Sequence, residues 1–312
     1  TKLEAFADGQ TMQKRQSPKR KKSKPKESVR KKSKTTRQKK EQPSPAVILE
    51  KFTDKIEEEY NVIFKPNDGP QTDFLAASER EVLYGGSAGG GKSYAMLADP
   101  LRYMGNPAFS GLLLRHTTEE LRELITKSQE MYPKIWPGIK WSERKMQWTA
   151  PSGAKLWLSY LDKDQDVTRY QGLAFSWIGF DELTQWATPF AWSYMRSRLR
   201  SADPTLPLSM RATTNPGGRG HGWVKKMFID PAPAGKSYIA TDIETGEQLK
   251  YPAGHEKAGR PLFKRRFIPA RLKDNPYLAQ QGDYEAMLLS LPEQQRRQLL
   301  DGDWDIKEGA AF

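Results

Sequence analysis

Short apolar runs punctuate the chain, and several of them end on residues that carry chemistry. Residues 82–84, 111–115 and 175–180 are nearly continuous apolar runs, the pattern of strands buried on both faces of a sheet, and residues 208–213 read as a further strand. From Lys92 the sequence favours a helix that ends near residues 103–105. Thr117 followed by Glu120 is a capping box for a second helix reaching about residue 132. Two shorter strands are expected at 145–149 and 154–160, joined by the turn Ala-Pro-Ser-Gly at 150–153. Residues 47–60 show one apolar helical face, residues 64–74 a turn-rich approach to the first strand, and residues 281–301 a helical stretch broken at Pro292. Residues 230–264, rich in Gly and Pro, predict irregular structure. Strands alternating with helices imply an α/β fold with a mainly parallel sheet flanked by helices. Ligands of such sheets gather at the carboxyl ends of the strands.

Those ends are where the chemistry lies. Gly86, Ser87, Ala88, Gly89, Gly90, Gly91, Lys92 and Ser93 fit GxxxxGK[ST] at every fixed position, between an apolar strand and a helix. Glycines let successive backbone N–H groups wrap an anion, the helix N-terminus adds partial positive charge, Lys92 can reach the β- and γ-phosphates, and the Ser93 hydroxyl can ligate Mg²⁺. Asp181 closes the 175–180 run, where a carboxylate can hold the same metal opposite Ser93. Glu182 follows and can orient and deprotonate an attacking water, which favours hydrolysis over transfer to a substrate hydroxyl. Asn215, after the 208–213 strand, is either a γ-phosphate sensor or part of the turn Asn-Pro-Gly-Gly. Gln71 can pair with the N6 donor and N7 acceptor of adenine, or is a turn residue. Arg169 is a candidate finger for the γ-phosphate of a neighbouring subunit, with Arg196, Arg198, Arg200 and Arg219 as rivals.

Charge changes the picture at one end only. Residues 1–45 hold 16 of the 51 Lys and Arg residues and 4 of the 38 acidic ones, a net +12 out of the chain's +13. So basic and apolar-poor a stretch predicts a disordered tail suited to nonspecific attraction to nucleic acid. The domain expectation is therefore a tail over 1–45, a nucleotide-binding core over 46–228 and a lid or linker region over 229–312. The chain has no Cys, which excludes disulfides and thiolate metal sites, and its three His show no metal-ligand spacing. No apolar run approaches membrane-spanning length, so no membrane partner is expected.

In this order and spacing, six segments resemble the large terminase subunit of tailed bacteriophages, the ATPase of the DNA-packaging motor. They are GPQTDFL at 69–75, EVLYGGSAGGGKSYAML at 81–97, TRYQGLAFSWIGFDELTQW at 168–186, RATTNPGG at 211–218, and the closing pair KDNPYL at 273–278 and LLDGDWD at 299–305. The resemblance covers about residues 62–306. It implies an additional-strand, RecA-like P-loop ATPase fold, with ATP and Mg²⁺ as cofactors. It further implies translocation of double-stranded DNA into a procapsid, by a homo-oligomeric ring on the portal protein that works with a small terminase subunit in the cytoplasm of an infected bacterial host. By position Lys92 and Ser93 match the phosphate-binding residues, Asp181 the metal aspartate, Glu182 the catalytic glutamate, Thr214–Asn215 the coupling motif and Arg169 a trans-acting finger. Many members carry a basic residue early in the phosphate loop, where Ser87 and Ala88 stand here. The family's nuclease domain would begin about where this chain stops, so nuclease activity is not expected of it. Two rival readings are another P-loop DNA-dependent ATPase such as a helicase, although Asp181–Glu182–Leu183–Thr184 is not a helicase box, and a non-enzymatic DNA-binding subunit acting through its basic tail.

Overall fold

The structure is a computed structural model that describes residue 62 and residues 64–306. The expected basic tail, the expected helix at 47–60 and the last six residues lie outside the described residues.

Nine strands make one sheet, in the order β3-β4-β5-β2-β6-β7-β1-β9-β8. Its centre is six parallel strands: β5 (Lys155–Tyr160), β2 (Ser110–Arg115), β6 (Trp177–Asp181), β7 (Ser209–Thr214), β1 (Glu81–Gly86) and β9 (Lys264–Ala270). Short antiparallel strands finish the two edges, β3 (Lys140–Ser142) and β4 (Gln147–Thr149) on one side and β8 (Ser237–Ile239) on the other. Every residue of β1, β6 and β7 is buried, as their apolar runs require.

Successive side chains point to opposite faces, and each face has its own core. Leu112, Leu114, Ile178, Phe180, Met210 and Ala212 pack on one side with Trp192 and Met195, from the helix Phe190–Arg196. Leu113, Leu158 and Trp177 pack on the other with Met96 and Leu97, from the helix Lys92–Ala98, and Leu121 and Leu124, from the helix Thr118–Ile135. The latter is opened by the capping box of Thr117 and Glu120.

The structure differs from the sequence reading in several places. The helix from Lys92 is α-helical only to Ala98 and continues as a 3₁₀ segment, Asp99–Tyr103. The strand expected at 145–149 starts at Gln147, and the one expected at 175–180 starts at Trp177 and includes Asp181. A helix, Pro70–Ala76, occupies part of the expected turn region. The stretch 281–301 holds three short segments, Asp283–Leu289, Glu293–Arg296 and Arg297–Asp301.

The largest difference is β9, which no apolar run announces and which pairs with β1 from beyond residue 228. Two features mask it. Arg265 is buried but donates Nε to Glu81 Oε2 at 2.6 Å and its Nη1 to the Thr241 carbonyl at 2.7 Å. Pro269 lies past the last residue of β9 that β8 pairs, Arg266, on a stretch whose outer edge needs no donor.

Glu81 also pairs with Arg196, so a fully buried carboxylate sits between two guanidinium groups. Burial alone would raise its pKa, but Arg265 and Arg196 together hold it below the ordinary value of 4.5. Without Arg265 the buried carboxylate keeps only the partly exposed Arg196, so Arg265→Met should destabilise the fold by up to about 3–5 kcal/mol. Because the folded-state pKa of Glu81 is depressed, the stabilisation is present above pH 4.5 and lost as pH falls through the folded value. Urea unfolding of wild type and Glu81→Gln across pH should show a gap at neutral pH that narrows on acidification below 4.5.

Candidate active site

The phosphate loop runs from the end of β1 into the helix Lys92–Ala98, and its shape is imposed from outside. Gly86, at φ 140°, lies against β9 so closely that a Cβ there would overlap the Ala270 carbonyl. Gly91 is left-handed at φ 73°, and a Cβ on it would come within 2.8 Å of Gln71 Nε2. Three consecutive carbonyls are tied down by side chains. Asn275 Nδ2 donates to Gly89 O at 2.7 Å, the Tyr84 hydroxyl to Gly90 O at 2.7 Å, and Gln71 Nε2 to Gly91 O at 2.9 Å. In a trans peptide the N–H points opposite to the carbonyl. The N–H groups of Gly90, Gly91 and Lys92 therefore face away from these tethers, as a run of donors fit for an anion. Earlier in the loop, Ser87 N–H donates to Ala270 O at 2.8 Å and Ala88 N–H to Leu299 O at 2.6 Å.

The strand register brings the other chemistry level with this loop. Tyr84 pairs with Thr213, Thr213 with Asp181, and Leu114 with Phe180, so the ends of β1, β7, β6 and β2 are aligned. Lys92, 7% exposed, donates Nζ to Ser87 O at 2.6 Å and to Asn215 Oδ1 at 2.7 Å. Burial lowers the pKa of its ammonium group, and the Glu182 and Asp181 carboxylates oppose that shift. Asp181 is fully buried, with Oδ2 accepting from Arg115 Nε at 2.7 Å and Oδ1 from the Thr213 hydroxyl.

Glu182 turns the chain sharply at φ 60°, ψ 56°, a left-handed conformation that disfavours a Cβ-bearing residue. Burial, then the Asp181 charge, raises its pKa above the ordinary carboxylate value, against Lys92, Arg115 and a hydrogen bond from the Asn215 N–H. A carboxylate with raised basicity next to a strand-end acid is suited to taking a proton from water. Behind it Thr184 stitches β6 to β7, its N–H reaching Thr214 Oγ1 at 3.2 Å and its hydroxyl 2.7 Å from the same oxygen.

Lys92, Asp181, Glu182 and Asn215 are thus brought together, with Ser93 half-buried in the first turn of the adjoining helix. Gln71 is buried against the loop, donating to Gly91 O and accepting from Asn67 N–H at 2.6 Å, which leaves one further donor and one further lone pair on its amide. Arg169 is not joined to the cluster. It lies in the 3₁₀ turn Asp164–Tyr170 after β5, with its side chain 48% exposed, paired to Asp166 at 2.6 Å and set over the Tyr160 ring. Three of its rivals are engaged elsewhere: Arg196 with Glu81, Arg198 over Tyr194, and Arg200 on the Gly172 carbonyl. Sequence reasoning missed Tyr84, Asn275, Thr213 and Arg115. Only Arg115, a charged residue closing an apolar strand, gave a readable signal.

Oxygen donors from Asp181 and Ser93 suit a hard cation such as Mg²⁺. Among the described residues no group of three or more His, Cys, Asp and Glu could hold a metal. A site that supplies only one or two protein oxygens matches an ion that keeps water and phosphate ligands.

Residues 83–312 match the family described as terminase large subunit, T4likevirus-type, N-terminal. The chain belongs to this terminase family. Solved structures agree on the fold. The large terminase of a thermophilic bacteriophage, in complex with ADP, matches with TM-score 0.55 and 15% identity, over 77% of this chain and 54% of that one. The same phage terminase in another structure matches with TM-score 0.54 and 16% identity, over 77% and 53%. This terminase chain spans about half the length of those relatives. No curated protein matches the sequence. The nine-stranded sheet with its β2-β6-β7-β1-β9 centre is the terminase ATPase-domain fold expected from the P-loop reading.

The strain at residue 182 makes a testable contrast. Glu182→Gly and Glu182→Gln both remove the carboxylate, but only glycine is at ease in the left-handed region. The glycine variant should be more stable than the glutamine variant by about 1 kcal/mol in denaturant unfolding, although neither can act as a base.

Proposed function

We propose that this chain is the ATP-hydrolysing part of a terminase large subunit and that hydrolysis drives double-stranded DNA into a procapsid. The observation that carries the reading is the meeting of Lys92, Asp181, Glu182 and Asn215 at aligned strand ends beside the phosphate loop. The structures of the thermophilic phage terminase with ADP and with ATP-γ-S support a nucleotide as the ligand of this fold. The ring on the portal protein, the small subunit and the host cytoplasm belong to the proposal through family membership.

In this reading the N–H run of Gly90, Gly91 and Lys92 cradles the phosphates. Lys92 leaves the Ser87 carbonyl and the Asn215 side chain to bind the β- and γ-phosphoryl oxygens. The released Asn215 amide is then free to contact the γ-phosphate or the water beside it. Gln71 uses its spare donor and acceptor for adenine. Asp181 and Ser93 would hold Mg²⁺, which would supply positive charge to the phosphoryl oxygens. Glu182 takes a proton from water as the water oxygen bonds to the γ-phosphorus and the bond to the ADP oxygen breaks. Such a base typically contributes ~10²–10⁴ in rate.

Two measurements test the division of labour. Lys92→Ala should lose nucleotide binding, whereas Glu182→Gln should bind ATP normally and lose at least about a hundredfold in turnover. Turnover of wild type should also fall on acidification at a pH above the ordinary carboxylate value of 4.5, since Glu182 must be ionised to accept the proton. Normal hydrolysis by Glu182→Gln would refute the assignment.

Arg169 is proposed to act on the γ-phosphate of a neighbouring copy, since it is exposed and away from its own cluster. Arg169→Ala and Glu182→Gln chains, each inactive alone, should regain turnover when mixed under assembling conditions, because some interfaces then pair an intact Glu182 with an intact Arg169. No recovery at any ratio, with assembly confirmed by light scattering, would argue that Arg169 acts in its own subunit or only structurally.

A further inference from the structure

Arg115 closes β2, one strand beyond β6, and its guanidinium is oddly placed for a structural ion pair. Its side chain is 9% exposed, and Nε alone is bonded, to Asp181 Oδ2 at 2.7 Å. Among the described residues neither Nη group has a hydrogen-bond or ion-pair partner, and neither is sealed from solvent, unlike Nη2 of Arg196. Four N–H donors on a nearly buried cation, one strand from the phosphate loop's neighbours, are therefore reachable from solvent and unclaimed by other described residues. Water can meet these donors in the free protein, and the planar fork of Arg matches two oxygens of one phosphoryl group that could replace it. The Asp181, Glu182 and Glu120 carboxylates all act on this guanidinium, and its one contact is with Asp181, so it lies between the cluster described above and the start of the helix Thr118–Ile135.

The cluster also lacks positive charge. Lys92 and Arg115 stand against Asp181, Glu182 and Glu120, and Lys92 is the one cation among residues 86–93. A triphosphate brings more negative charge than Mg²⁺ neutralises, and hydrolysis concentrates it on the terminal phosphoryl oxygens.

We propose that Arg115 is the second cation of the site, its two Nη groups binding the terminal phosphate of the nucleotide held in the same chain while Nε stays on Asp181. The inference rests on the reading of this cluster as an ATP site. It separates Arg115 from Arg169: the first recognises the terminal phosphate within one chain, without assembly, and the second acts between chains.

The test is binding, with the full chain kept unassembled. Affinities for ADP and for ATP-γ-S are measured calorimetrically in excess Mg²⁺. Wild type should bind ATP-γ-S more tightly than ADP. Arg115→Gln should weaken ATP-γ-S by about tenfold to a hundredfold, the worth of hydrogen bonds to a charged group, and leave ADP nearly unchanged. Should Asp181 without its cation prevent folding, Arg115→Lys carries the test. A single ammonium can keep the Asp181 pair and the fold but cannot span two phosphoryl oxygens as well, so the ATP-γ-S preference should still drop by about tenfold. Equal weakening of both nucleotides would overturn the proposal and leave Arg115 as a support for Asp181. An unchanged preference would overturn it too. If wild type binds neither nucleotide, the ATP-site reading itself fails and takes this one with it.

Discussion

The N–H of Ser87 donates to the Ala270 carbonyl across a gap of 183 residues, and the site depends on the strand pairing that this bond terminates. β1 is held between β7 and β9 in parallel register, with Gly85 opposite both Thr214 and Pro269. Two neighbours fix where β1 ends and the direction in which the phosphate loop departs. Gly86 is required because β9 lies where a Cβ would go. The register then carries across β7 and β6 to β2, so that residues from four strands reach one level without any long side chain having to bridge a step.

At that level the electrostatics are nearly self-cancelling, and this has consequences for how the free site is held. Lys92 is folded onto its own loop and Asn215, and Asp181 is engaged by Arg115 and Thr213. Each contact satisfies a buried polar group that would otherwise lie unpaired, which is costly in a low-dielectric interior. On the proposed reading, a nucleotide would therefore enter by exchange of partners at Lys92 and Asn215. Glu182 is the exception, because its basicity is raised by burial and by Asp181, and its backbone is in a left-handed conformation. Strain and raised basicity at one residue fit a group placed for reactivity at the expense of stability.

The sequence displayed the parts of this arrangement whose physics is local. The loop motif needs glycines at fixed spacing, the buried parallel strands need apolar runs, and the helix after β2 needs its capping box, so Gly86–Ser93, β1, β2, β6 and the start of Thr118–Ile135 were all legible. What stayed hidden depends on distant partners. β9 looks like a charged, proline-bearing stretch until Glu81 is set against Arg265 and Pro269 is seen beyond the end of β8. Tyr84 reads as one more apolar strand residue, yet its hydroxyl orients a loop peptide. Asn275 reads as the residue before a proline, yet it both caps the helix Pro276–Ala279 and holds Gly89. The difference is between patterns that a single element must satisfy and contacts that exist only once the sheet is assembled.

The same logic extends to the stretch after β9. Leu299 accepts the Ala88 N–H, while Trp304 stacks on His221 with ring centroids 5.3 Å apart and offers its carbonyl to His221 Nε2 at 3.2 Å. His221 in turn accepts the Gly217 N–H through Nδ1 at 2.8 Å, close in sequence to Asn215. With Nδ1 accepting, Nε2 is the ring nitrogen that donates to Trp304 O. One side of the 299–304 stretch thus supports the phosphate loop and the other supports the turn that carries Asn215. The geometry of the site is therefore a property of residues 81–304 taken together: a cut after β7 would keep every residue of the P-loop motif and lose the carbonyls that hold it open.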